Sequence, residues 1–374
     1  MSIQVPINVR KKKKKSIQKK EKKLLINRDF IFENLIYIYS FNFFCKTIFI
    51  IFLSILLKLV ILWKKKKKLL KIKNSENNIT NQIHKNINES SEYFACFCAK
   101  ARRENKYVRE LISYYSKIGV EKFIFGDNNY IGTEKLTDVI QDYVDSGQVD
   151  IYEIFGSNIS QNEFCQYIYV KYKNKCKWFL FFDLDEYLEV YFENKKPLML
   201  QDFLTNKNFD KCESLLFNWV IYTDNDLLYY DNRSLLERFT SFSYNNRANV
   251  YVKSIVRGGL NKTIFYPKKS NHVPDSNVII CDSIGRIRTR YNPFTIQPPV
   301  FDYGILKHFA TKTTEEFIEK TKRGYNGNIP LKPEDRIIVF FSHNKFTEEK
   351  LKLFEKGFNK SFDAIKYRFR INSN

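Results

Sequence analysis

Between Tyr93 and Phe182, short apolar runs alternate with longer stretches of helical spacing, and this alternation leaves few architectures open. Tyr93–Ala99, Lys122–Phe125, Val149–Ile154 and Trp178–Phe182 read as strands. Tyr107–Lys117 places Val108, Leu111, Ile112 and Tyr115 on one helical face, and Glu134–Asp145 and Gln161–Tyr172 are spaced alike. Strands joined by helices of this length cross over in parallel, so an α/β sheet covered by helices on both faces is predicted. Ligands of such sheets bind beyond the carboxyl ends of the strands, where Asp127 and Asp183 both fall. After Glu189 the strand-like stretches Ser214–Val220, Val250–Val256, Val278–Asp282 and Gly304–His308 lack intervening helices. Helical spacing returns at Thr313–Arg323 and Thr347–Phe369, and no Pro/Gly linker divides residues 92–374, which read as one domain.

The net charge of +22 raises the question of a nucleic-acid partner, and its location answers it. Residues 1–73 hold 20 Lys and Arg against 3 acidic residues, and the remainder holds 43 against 38. The main domain is nearly balanced, so no nucleic-acid partner is expected. Residues 1–40 read as a basic cytoplasmic tail. Residues 41–63 are apolar apart from Lys46 and Lys58, long enough for the ~20 residues that cross a bilayer. Each lysine lies near an end and can snorkel; an interfacial amphipathic helix is the alternative. The basic residues before the span slightly outnumber those after it, which orients the N-terminus to the cytoplasm. Residues 64–91 are rich in Asn and Ser, with sequons at Asn78 and Asn88, and read as a stem. Together these describe a single-pass signal anchor on a membrane, with a lumenal domain in the ER or Golgi of a eukaryotic cell. None of the seven cysteines has zinc-site spacing, and they read as buried thiols.

The stretch from Lys177 to Val190, KWFLFFDLDEYLEV, carries the sharpest chemistry. An apolar strand ends at Asp183, and Asp185 two residues on can face the same side. Two carboxylates there form a hard oxygen site for Mn²⁺ or Mg²⁺, which neutralise a diphosphate. The plainer alternative is a pair of solvated loop carboxylates. An apolar strand ending in D-x-D also opens the haloacid-dehalogenase phosphatases, but Tyr187 replaces their Thr or Val and the motif follows three strand–helix units.

Several segments in order resemble the GT-A glycosyltransferases of family 92 and family 2-like type: ACFCAKARRENKYVRELISYYSKIGVEKFIFGDNN, FFDLDEYL, NWVIYTDNDLLYYDNRSLLERF, KSIVRGGL, CDSIG and LKHFATKTTEEFIEKTKRG. The resemblance implies a GT-A, Rossmann-like fold with a mixed central sheet, in which Asp183 and Asp185 hold the metal on the donor diphosphate. It places Lys100, Arg103, Glu104, Asp127 and Asn128 near the nucleotide-sugar donor, although Ala99 to Asn105 reads AKARREN where the family resembles A-K-N-E. His308 resembles the late histidine that completes the metal's coordination, and His272 is a second candidate for a metal or substrate contact. A UDP-sugar, UDP-galactose among them, is the implied donor, with a glycan acceptor and inversion. Inversion needs a carboxylate base, and Asp226 is chosen from Asp224, Asp226 and Glu237, all of which also suit turns. Lys312, Lys320, Lys322 and Arg323 could hold the diphosphate, but Glu315, Glu316 and Glu319 are interleaved with them and a solvated face is the reading preferred. His343 has no supporting constellation in sequence. The non-enzymatic alternative is a basic membrane-surface protein carried by residues 1–73.

Overall fold

A computed structural model of the chain describes residues 91–130, 132–155, 159–265, 274, 277–288, 295–324 and 332–371. The tail and span, all of the stem expected over 64–91 except its last residue, and His272 lie outside the described residues. Among the described residues no helix is long and apolar enough to cross a membrane.

The alternation folds as its spacing predicts. Strands β1 (Tyr93–Ala101), β2 (Lys122–Asp127), β3 (Val149–Glu153) and β4 (Cys176–Phe181) are linked by helices α1 (Asn105–Lys117), α2 (Thr137–Asp145) and α3 (Gln161–Tyr172). They pair in parallel in the order β3-β2-β1-β4. β1 is buried on both faces: Ala95, Phe97 and Ala99 join the core beneath α1, while Cys96 and Cys98 join the one beneath α3. Leu111 and Phe97 are fully buried, and burial of one such side chain contributes about 1.5–3 kcal/mol. Ser160 and Glu163 form a capping box that starts α3.

The second half supplies the other strands of a mixed sheet: β5 (Glu186–Val190), β6 (Ser214–Ile221), β7 (Val252–Arg257), β8 (Ile280–Asp282) and β9 (Gly304–His308). β7 runs antiparallel to β4 and β6, β6 pairs with β8 and then with β9, and β5 closes the edge antiparallel to β9. Two short helices, α4 (Leu200–Leu204) and α5 (Leu235–Arg238), lie in the connections around β6. The chain then becomes helical with α6 (Thr314–Arg323), α7 (Pro333–His343), α8 (Glu348–Phe358) and α9 (Asp363–Ile371). These helices have their own core of Phe317, Ile337, Phe340, Leu351, Phe354 and Phe362. The single helix expected over Thr347–Phe369 is two, because Asn359 adopts a left-handed C-cap at φ 51°. β5 and α7 were not predicted.

The buried-thiol reading is corrected for four cysteines. Cys96 of β1 bridges to Cys176 of β4, and Cys212 bridges to Cys281 of β8, with Cα separations of 6.0 and 5.7 Å. The first pair sits on neighbouring strands and the second joins the residues leading into β6 to β8, relations invisible in linear spacing. Cys98 and Cys165 are buried thiols as expected.

Candidate active site

The strand ends converge on a cavity of about 1450 Å³. Lys100 and Ala101 from β1, Asn128 after β2, the start of α3 and the turn Asp183–Asp185 after β4 line one stretch of it. That turn brings the aspartates together. The Asp183 N–H donates to Glu186 Oε2 at 2.8 Å, and the Phe309 N–H donates to the Asp185 carbonyl at 2.9 Å. Because β5 returns antiparallel to β9 with Glu186 opposite His308, His308 arrives beside Asp185.

Each aspartate faces cations. Lys253 Nζ of β7 lies 2.5 Å from Asp183 Oδ2 and 3.6 Å from Glu186 Oε1. Lys320 Nζ of α6 lies 2.7 Å from Asp185 Oδ2, and His308 Nε2 lies 3.6 Å from Asp185 Oδ1. Arg323 Nη1 donates to Glu104 Oε1 at 2.7 Å on the cavity wall. Burial would raise the Asp185 carboxyl, but Lys320 and His308 outweigh it and hold the group well below the ordinary carboxylate range. Burial lowers His308 despite the pull of Asp185, so its ring is neutral at pH 7. Burial pushes Glu186 up to about 8. Burial would lower Lys253, but Asp183 and Glu186 reverse the sign and keep it charged.

Asp185 and His308 are the candidate metal donors that lie side by side. The 3.6 Å between His308 Nε2 and Asp185 Oδ1 is longer than a hydrogen bond, and longer than the roughly 3.0 Å between neighbouring ligands of an octahedral ion with bonds of about 2.1 Å. His308 Nδ1 is buried without a hydrogen-bond partner among the described residues. Among those residues no group of three or more His, Cys, Asp or Glu side chains is gathered as it would be around a bound ion. Asp183, Asp185 and His308 are the cavity donors that would have to draw together around an ion.

Of the residues singled out in sequence, Lys100, Glu104, Asn128, Asp183, Asp185 and His308 all line the cavity. Others lie elsewhere. Asp127 is buried with both oxygens engaged, Oδ1 by the Asn129 backbone and side chain and Oδ2 by the Leu136 N–H, so it braces the loop that presents Asn128. Arg103 is exposed at φ 54° and outside the cavity lining, where its neighbour Arg102 stands instead. Asp226 is likewise outside the lining, its carboxylate 2.7 Å from the buried Lys350 Nζ.

The solvated-face reading of α6 is corrected for three residues. Lys312, two residues before the helix, is buried, and Lys320 and Arg323 on the helix line the cavity. His343 also lines the cavity, where burial pushes it down to about 4. Lys253 was not predicted, although a lysine inside the apolar run Val250–Val256 was a usable signal.

Comparison with known proteins agrees with the motif order. Residues 91–323, more than half of the chain, match the sequence model described as Glycosyltransferase family 92. A stretch of 113 residues is 26% identical to a glycosyltransferase family 92 protein of Ricinus communis, covering 30% of this chain and 19% of that protein. Another of Oryza sativa subsp. japonica is 29% identical over 113 residues, covering 30% and 18%. The aligned stretch thus spans under a fifth of these relatives. Among solved structures, S. aureus TarS 1–349 in complex with UDP-GlcNAc is 11% identical over 71% of this chain and 72% of that one, with a TM-score of 0.34, a likeness too slight to build on. On the family match, carried across both halves of the mixed sheet and every strand that frames the cavity, the chain belongs to glycosyltransferase family 92.

Proposed function

We propose that this chain transfers a sugar from a nucleoside-diphosphate donor, a UDP-sugar, to a glycan hydroxyl. One observation carries the reading: two aspartates at the end of a parallel strand share a cavity with Lys100, Arg102, Lys253, Lys320 and Arg323. The surplus of cations there suits a doubly charged diphosphate, and the aspartates suit Mn²⁺ or Mg²⁺ bound with it. That ion would offset the charge that develops on the leaving diphosphate. Lys253 and Lys320, released from the aspartates, would meet phosphate oxygens. Neutral His308 keeps a lone pair for ligation, and Asp183, with 41% of its side chain exposed, is the carboxylate most open to the donor. UDP-galactose as donor and inversion at the anomeric carbon come from the family resemblance. Attachment through residues 41–63, with the domain in the lumen, is part of the same proposal, and the two disulfides support an oxidising compartment.

The test uses the full chain in detergent with a panel of UDP-sugars and Mn²⁺, reading released UDP. Asp183→Asn should lower turnover by about a hundred-fold, the scale of losing one preorganised electrostatic group, with the far-UV circular dichroism of the wild type. Unchanged turnover and metal dependence in that variant would refute the site. Release of phosphate from p-nitrophenyl phosphate, with no use of UDP-sugars, would refute the reaction class.

A further inference from the structure

The cavity extends past the aspartates, and its two ends differ in chemistry. In the sheet order, β1 and β2 lie to one side of β4 and its Asp183, and β7, β6 and β9 lie to the other. The first end is cationic and amide-lined, with Lys100, Arg102, Asn128 and the start of α3. The second is aromatic. Trp219 of β6 and Tyr251, just before β7, both line it, with ring centroids 5.3 Å apart. Tyr251 is 43% exposed, and the buried Trp219 Nε1–H has no hydrogen-bond partner among the described residues. The Trp219 ring lies 4.2 Å from the His308 ring, so the aromatic end begins at the aspartate pair.

Asn245, Asn246 and Arg247, and Ser342 and His343 of α7, line the same cavity. Planar rings beside amides, a hydroxyl and a guanidinium suit a pyranose ring, whose C–H face covers aromatic surface while its hydroxyls bond to the rim. The α7 wall is anchored. His343 Nδ1 lies 3.0 Å from Asn246 Nδ2, and the Asp224 N–H donates to Asn344 Oδ1 at 2.7 Å. α7 begins at Pro333, after the family match ends at residue 323.

We propose that the Trp219–Tyr251 end, closed by α7, is the acceptor subsite and takes a pyranose ring of the acceptor glycan. This rests on the donor reading, because a nucleotide at the cationic end leaves the aromatic end for the acceptor. It makes acceptor choice a property partly of residues beyond the family-matched segment.

The experiment titrates the full chain in detergent, saturated with UDP and Mn²⁺, with methyl β-galactopyranoside, methyl β-glucopyranoside and methyl α-mannopyranoside. Of three tryptophans, Trp178 is fully buried and Trp63 belongs to the N-terminal segment, so a change in emission reports Trp219. At least one glycoside should give a saturable change. Tyr251→Ala, at an exposed position, should weaken that glycoside about ten-fold, and Tyr251→Phe should restore it, with UDP affinity held within about two-fold in both. Arg247→Ala should weaken the same glycoside without moving the melting temperature. If UDP binds but no glycoside does, or if Tyr251→Ala weakens UDP in place of the glycoside, the acceptor assignment is overturned and the donor reading stands. If UDP itself fails to bind the wild type, the donor reading falls and takes this assignment with it.

Discussion

Arg238→Met tests what holds α6, and with it Lys320 and Arg323, over the strand ends. Arg238 of α5 meets Glu316 of α6 through Nη1 to Oε2 at 2.7 Å and Nη2 to Oε1 at 3.2 Å, and the two side chains are 1% and 2% exposed. Tyr107 of α1 donates its hydroxyl to the same carboxylate. Removing the guanidinium leaves the buried carboxylate without its ion-pair partner, held only by the Tyr107 hydroxyl and the Thr313 N–H, which costs about 3–5 kcal/mol. At about 2–4 °C per kcal/mol, melting of the full chain in detergent should fall by roughly 6–20 °C at pH 7. Adding Glu316→Gln should restore most of the loss, since an amide needs no counter-charge. The pH dependence has a definite sign. Burial would raise the Glu316 carboxyl, but the bonds from Arg238 and Tyr107 outweigh it and bring it from 4.5 down to about 2. A folded value below the unfolded one means stabilisation that is present above about pH 4.5 and fades as pH falls towards 2. The melting gap between wild type and Glu316→Gln should therefore be full at pH 7 and smaller at pH 3. A shift under about 2 °C for Arg238→Met, or no recovery in the double variant, would refute the argument.

Two further outcomes bear on the frame around the site. Gly258→Ala would put a Cβ 1.9 Å from the Cys176 carbonyl oxygen, a backbone atom that cannot step aside, so thermal melting should fall by more than about 5 °C. Reducing Cys96–Cys176 and Cys212–Cys281 with dithiothreitol should lower stability by about 2–5 kcal/mol per bridge, read by urea unfolding with and without reductant. Coincident urea curves would mean that the bridges contribute nothing.

Much of the frame was legible because it is local. The parallel half obeys period-2 and period-3.6 patterning over runs of five to thirteen residues, and β9 and α3 fall at the predicted boundaries. β5 escaped because Glu186 and Glu189 interrupt its apolar pattern, and Glu186 is nevertheless fully buried against Lys253. α7 escaped because Ile337 to Phe341 form an unbroken apolar run, which by itself shows no helical spacing. The acidic pair could be read from Asp183 and Asp185 alone, since a strand end presents both to one side. Its lysines could not, because Lys253 and Lys320 come from elements 70 and 135 residues away in the chain.

By itself the sequence determined the α/β alternation, the location of the basic charge and the placing of a carboxylate pair at a strand's carboxyl end. Tertiary structure decided which charges face that pair, which cysteines bridge, and that Asp127 and Asp226 are held by neighbours outside the cavity lining. The division has a physical cause. Backbone periodicity is written in adjacent residues, whereas electrostatic partnership depends on distances that only strand order and helix docking set. His308 lies 123 positions from Asp185 along the chain and 3.6 Å from it in space because β5 turns back along β9.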